Sequence, residues 1–171
     1  MKKLVLDLRG NSGGYTTAAR DIASELIGSG PIFWQEDARG NTIATEAKPG
    51  GLATDPAIQV VALVDRGTAS AGEILAGALQ DTGRAILVGQ KTFGKGTVQQ
   101  WSLLSDDAGG FRLTVAKWLT PKKRWIHGTG LTPDVVVEAT PTSPTDDPVL
   151  DKALDLLGDA TSRSWLGRRA A

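Results

Sequence analysis

The sequence predicts an α/β fold, a mixed β-sheet flanked by helices and extended by extra β-hairpins. Three observations carry that expectation. Short β-favouring apolar runs alternate with helical stretches, glycine-rich turns follow the runs, and two hairpin patterns interrupt the alternation. At 171 residues with 40% hydrophobic content, the chain is long and apolar enough for one domain with a real core.

Taken in order, Lys3 to Leu8 is an apolar run that starts almost at residue one with no capping chemistry before it, as expected of a start inside a larger protein. Gly10-Asn11-Ser12-Gly13-Gly14 forms a turn tolerant of positive φ. A helix follows from Thr16 to Ile27, with Ala18, Ile22, Ala23, Leu26 and Ile27 marking its apolar face. Pro31 to Trp34 and Asn41 to Thr45 read as a hairpin around Ala38-Arg39-Gly40, and Ile58 to Val64 as a buried strand. The helix Ser70 to Gln80 comes next, then a short run at Ala85 to Val88. Val98 to Leu104 and Phe111 to Leu119 pair across Asp106 to Gly110, and Val135 to Glu138 is the last strand. The expected organisation is a core at 1–139, a Pro/Thr/Ser/Asp-rich linker at 140–148, an amphipathic helix at 149–158 and a polar tail at 159–171.

Composition excludes several function classes. Nineteen basic and nineteen acidic side chains cancel, so nucleic acid is not an expected partner. The absence of cysteine removes disulfides, thiolate metal sites and cysteine nucleophiles, and a single His rules out a histidine-rich metal site. No metal or cofactor is expected. Asp7 and Arg9 interrupt the first apolar run before a signal peptide could form. No apolar stretch approaches the roughly 20 residues of a membrane-spanning helix.

Three stretches could carry chemistry. Ser70 opens a helix directly after a strand and the turn Asp65-Arg66-Gly67-Thr68-Ala69. A serine there sits at the positive end of the helix dipole, where the free N–H of Ala71 can support a developing oxyanion. The plainer alternative is an N-cap, since Glu73 three positions on completes a capping box. Gly89 to Gly96 almost spells a phosphate-binding loop, but Gly96 stands where a hydroxyl is required and a strand follows where a helix is needed. Lys95 between two glycines could instead be aimed inward, where burial leaves a neutral amine able to accept a proton; otherwise it is a solvated loop lysine. Asp7 to Gly14 has the wrong glycine spacing for dinucleotide binding, yet its amides could form a nest for an oxyanion. His127 is expected to be a loop histidine rather than a triad base, and Trp34, Trp101, Trp118 and Trp125 to pack hairpins.

Together these segments resemble the carboxyl-terminal processing peptidases, the tail-specific Ser-Lys serine peptidases of family S41. The likeness covers roughly residues 3 to 157. It rests on Leu4 to Asn11 with Gly13-Gly14, on Gly67 to Ile74 with Ala76-Gly77-Ala78, on Thr92 to Gly96 with Val98-Gln99, and on Gly130 to Asp134. The resemblance implies a fold related to the Clp-protease and crotonase cores. It implies a serine endopeptidase with Ser70 as nucleophile, Lys95 as general base and Gln99 supporting the lysine. The amide of Ala71, with Gly13 or Gly14, would form the oxyanion hole. Substrates would be polypeptides with unfolded or apolar carboxyl-terminal tails, cut in the periplasm or cell envelope, and a homo-oligomer is allowed.

Three departures stand beside it. The PDZ module that family members carry ahead of this core is not in this sequence, no export signal is present, and Gly72 replaces a common Ser. The alternative reading is therefore a truncated, inactive fragment that binds peptide or oligomerises.

Overall fold

The computed structural model describes residues 2–105, 108–138, 143 and 146–158. Eleven elements follow in order: β1 (Lys3–Asp7), α1 (Thr16–Leu26), β2 (Pro31–Glu36), β3 (Thr42–Glu46), β4 (Gln59–Val64), α2 (Ala71–Asp81), β5 (Ile86–Gly89), β6 (Thr97–Leu103), β7 (Gly110–Leu119), β8 (Val135–Val136) and α3 (Pro148–Gly158). The α/β class is as the sequence predicts. Parallel and antiparallel pairing are divided between two four-stranded sheets, one in the order β1-β4-β5-β8 and one in the order β3-β2-β7-β6. All pairs of the first sheet are parallel and all of the second antiparallel.

β4 shows why the parallel sheet needs cover on both sides. All six of its residues are buried, and its side chains alternate between the two faces of the sheet. Val60, Ala62 and Val64 join the main core with Leu26 of α1 and Ile74, Leu75 and Leu79 of α2. Val61 and Leu63 point the other way, with Ile86 and Val88 of β5, and are covered by Ala153 and Leu157 of α3. Every residue of α2 is buried, because it packs against α1, β2 and β5. Its apolar residues therefore occur all round the helix rather than along one stripe.

Three sequence expectations change. The buried positions of α1 are Ala19, Ala23, Ser24 and Leu26, with Ile27 at its C-cap, whereas Ala18 and Ile22 face solvent. The helix turns its 19/23/26/27 stripe inward, a set spaced i, i+4, i+7, i+8. Of the tryptophans, Trp118 is buried and Trp34 donates its indole N–H to the Pro121 carbonyl, but Trp101 and Trp125 are substantially exposed. Finally, α3 begins at Pro148, the last residue of the expected linker, and Pro suits the first helical turn because its missing N–H would be unpaired there. The rest of that linker lies mostly outside the described residues, and the 159–171 tail lies wholly outside them.

Arg84 closes the end of the main core. Its guanidinium donates to three carbonyls, those of Leu26 (2.9 Å), Ala53 (2.8 Å) and Ile58 (2.9 Å). Burial pushes its pKa down, and the nearby Asp55 charge acts in the opposite direction. Arg84→Met is expected to destabilise the protein by about 2–4 kcal/mol, since it leaves those carbonyls without their donor; the midpoint of urea unfolding measures it.

A second clasp joins α3 to the turn after β1. Arg9 reaches Asp7 through Nε and Nη2 and holds both oxygens of Asp147 at 2.8 and 2.9 Å, while Asp147 Oδ1 also accepts the Leu150 N–H at the start of α3. The Arg9 guanidinium is the main cause that lowers the pKa of both Asp7 and Asp147 below the ordinary 3.8. Depressed carboxylates stabilise the fold above 3.8 and lose that contribution as the pH falls through their folded values. Asp147→Asn is thus expected to cost about 0.5–1 kcal/mol at neutral pH, solvent screening keeping it small. The cost should vanish in strongly acidic buffer, which paired denaturation curves would show.

Candidate active site

Three turns at the carboxyl ends of the parallel strands converge, as open α/β sheets arrange their sites. These are 8–14 after β1, 65–70 after β4 and 90–96 after β5. The first two are laced together by Ala69 N–H to the Asn11 carbonyl (2.9 Å), Thr68 hydroxyl to the Leu8 carbonyl (2.8 Å) and Gly10 N–H to Asp65 Oδ1 (2.9 Å). Asp65 also takes the Gly67 and Thr68 N–H groups, so one carboxylate sets both turns.

Ser70 stands at the N-cap of α2 with φ 53° and ψ −118°. A positive φ is unusual for a non-glycine residue and costs about 1–3 kcal/mol, strain that persists only where neighbours over-determine it. Here one neighbour is Gly13. A Cβ on Gly13 would lie 2.8 Å from Ser70 Cβ and 3.0 Å from the Ala69 carbonyl oxygen, and Gly13 itself has φ 111°. Only glycine permits that approach. The Gly13 N–H donates to Asn11 Oδ1 at 3.0 Å. Of the two glycines expected at an oxyanion hole, Gly14 is therefore the one whose amide remains available, together with that of Ala71 in the first turn of α2. Gly72 has its own packing reason: a Cβ there would come within 2.9 Å of the Asn11 carbonyl oxygen.

The other neighbour is Glu73, fully buried. Its Oε2 accepts the N–H groups of Ser70 (2.9 Å) and Lys95 (2.8 Å), and its Oε1 accepts the N–H of Gly94 (2.7 Å) and the hydroxyl of Thr92. The capping-box bond expected from Glu73 to the Ser70 amide is present. The same carboxylate also grips the loop that carries Lys95, which sequence reasoning missed. A charged residue inside the helix Ala71 to Leu79, where every neighbour is apolar or glycine, was the available signal.

Lys95 is held from the far side as well. Its carbonyl accepts the indole N–H of buried Trp118 at 2.8 Å, and Gly96 presents its carbonyl to the Trp125 indole at 3.0 Å. Both flanking glycines are required by packing, since a Cβ on Gly94 would meet the Gly130 nitrogen and one on Gly96 the His127 nitrogen, each at 2.8 Å. His127 stacks on Trp125 and accepts the Gly96 N–H at Nδ1 (3.3 Å), consistent with a loop role.

Ser70, Lys95, Gln99 and Gly14 all line one cavity of about 180 Å³, together with Arg112 and Trp118 of β7. Gln99 reaches it from strand β6, with a bulge between Val98 and Gln99. No side-chain hydrogen bond joins Ser70 to Lys95 or Lys95 to Gln99. Such contacts commonly tighten only around a bound substrate.

A serine and a lysine are thus brought to one cavity from two loops tied together by Glu73. Comparison with known proteins agrees. The profile of peptidase family S41 matches residues 1–137, and the chain belongs to that family. It is 48% identical to the carboxyl-terminal-processing protease of Synechocystis over 90% of this chain and 36% of that protein. It is 42% identical to the carboxy-terminal processing protease CtpA of Bacillus subtilis over 80% of this chain and 29% of that one. The solved photosystem II D1 C-terminal processing protease superposes with a TM-score of 0.73 at 38% identity, over 95% of this chain and 40% of that one. The chain thus spans about a third of the length of these curated relatives.

Proposed function

We propose that this chain is the catalytic core of a carboxyl-terminal processing peptidase working by a Ser-Lys mechanism. The observation that carries it is the strained Ser70 facing one cavity with Lys95, their loops joined by Glu73. In the first step the Ser70 oxygen attacks a peptide carbonyl carbon as neutral Lys95 takes its proton, and the new oxyanion is held by the amides of Ala71 and Gly14. Lys95 then returns the proton to the leaving amine, and water, activated by the same lysine, releases the acyl group from Ser70. Gln99 holds the lysine in line when substrate is bound.

Substrates in this reading are polypeptides with exposed apolar tails, and the place of work is the periplasm or cell envelope. A PDZ segment in the whole protein would deliver the tail by strand addition. Ser70→Ala and Lys95→Ala should each abolish hydrolysis of an unfolded polypeptide. Hydrolysis that survives Ser70→Ala would end the proposal.

A further inference from the structure

We propose that Arg112, paired with Trp101 across the β6/β7 hairpin, forms a subsite for a carboxylate of the substrate close to the bond cut at Ser70; the inference rests on the peptidase reading above. Arg112 and Trp101 are directly opposed in the β6/β7 ladder, so both stand on one face of the hairpin. The guanidinium carbon lies 5.8 Å from the centroid of the indole ring. That distance is within cation–π reach, and a guanidinium held beside the ring keeps N–H donors in the fork that takes a carboxylate through two parallel hydrogen bonds.

That carboxylate is not supplied by the described residues. Arg9, Lys48, Lys117 and Arg124 each form an ion pair with an Asp or Glu, and Arg112 forms none with a described residue. Arg112 also lines the cavity of Ser70 and Lys95, and no acidic residue lines it with them. The field there favours an incoming anion. The guanidinium is exposed to solvent, so its charge needs no buried counter-ion in the empty site.

The cavity's size limits where the anion can sit. At about 180 Å³ it falls below the roughly 300 Å³ of sites that enclose a drug-sized molecule. It accommodates a side chain or two of an extended polypeptide, which advances about 3.3 Å per residue. The carboxylate therefore lies within about three residues of the scissile bond. Two sources share this chemistry: the free end of the chain, or an Asp or Glu side chain near the cut.

Two pairs of fluorescent peptides separate the sources. One pair differs only in ending as carboxylate or carboxamide, the other only in Glu or Gln beside the cleavage position. Affinities are read by anisotropy on the Ser70→Ala protein, which binds without turnover. The acid form of at least one pair should bind about tenfold more tightly than its neutral twin. Adding Arg112→Gln should erase the difference, and adding Arg112→Lys should keep part of it. Equal affinities within both pairs, a preference that survives Arg112→Gln, or no binding of any of the four peptides would overturn the subsite. Capture of Ser70 by a small fluorophosphonate, which carries no carboxylate, tests the peptidase reading separately. Capture without charge preference removes the subsite alone; charge preference without capture removes the peptidase reading, and with it the subsite, leaving an Arg112-dependent carboxylate site.

Discussion

Glu73→Gln is expected to lower kcat/KM by at least about a hundredfold and to reduce stability by about 3–5 kcal/mol, the cost of breaking a buried, multiply bonded charge. Four donors converge on this carboxylate, the N–H groups of Ser70, Gly94 and Lys95 and the Thr92 hydroxyl. A carboxamide offers one acceptor oxygen, and its NH2 group would face donors at the other position. Either the Ser70 turn or the Lys95 loop must then lose its anchor. Misplacement of the nucleophile or base by about 1 Å is enough for the rate effect. The measurement is peptide hydrolysis together with urea unfolding. A variant that loses stability but keeps its full rate at low temperature would show that Glu73 serves the fold alone.

Gly13→Ala should be nearly as damaging to activity, by about two to three orders of magnitude, comparable with loss of an oxyanion donor. The added methyl would stand 2.8 Å from Ser70 Cβ in a backbone conformation with φ 111°, so the 8–14 turn must retreat from the nucleophile. Gly14, on the same turn, would then be displaced from the cavity it lines with Ser70. Ala at Gly10, where a Cβ would meet nothing within 4 Å although φ is also positive, separates backbone strain from crowding at Ser70. A large rate loss confined to position 13 is the expected result, and equal losses at both positions would point to strain alone.

Much of this architecture was legible because apolar runs and glycine turns carry local signals. The seven-residue stretch Ile58 to Val64, which lacks any charge, read as a buried strand, and β4 within it is buried on both faces. The order of helices and strands followed the same logic. The division into a parallel and an antiparallel sheet did not show, because pairing partners are chosen by long-range packing that leaves no local mark. The α1 face was misread because Ile22 weighs heavily in a periodicity and Ala19 hardly at all, yet Ala19 is the one buried in the core and Ile22 is exposed.

At the site, Ser70, Lys95, Gly13 and Gly14 were accessible through turn chemistry and family likeness, and the structure gathers them at one place. Glu73 carried a signal, a lone carboxylate in an apolar helix, but an N-capping role explained it too readily. Trp118 and Arg112 gave none. They come from β7, and only the hairpin register brings that strand beside Gln99.

The central claim is that Ser70 is a nucleophile activated by Lys95, and its most direct test is covalent capture by a fluorophosphonate read by mass spectrometry. The unaltered chain should be labelled at Ser70, and Lys95→Ala should slow labelling by at least about a hundredfold while leaving the fold intact. Labelling at the same rate without Lys95, or on a serine other than Ser70, would contradict the account.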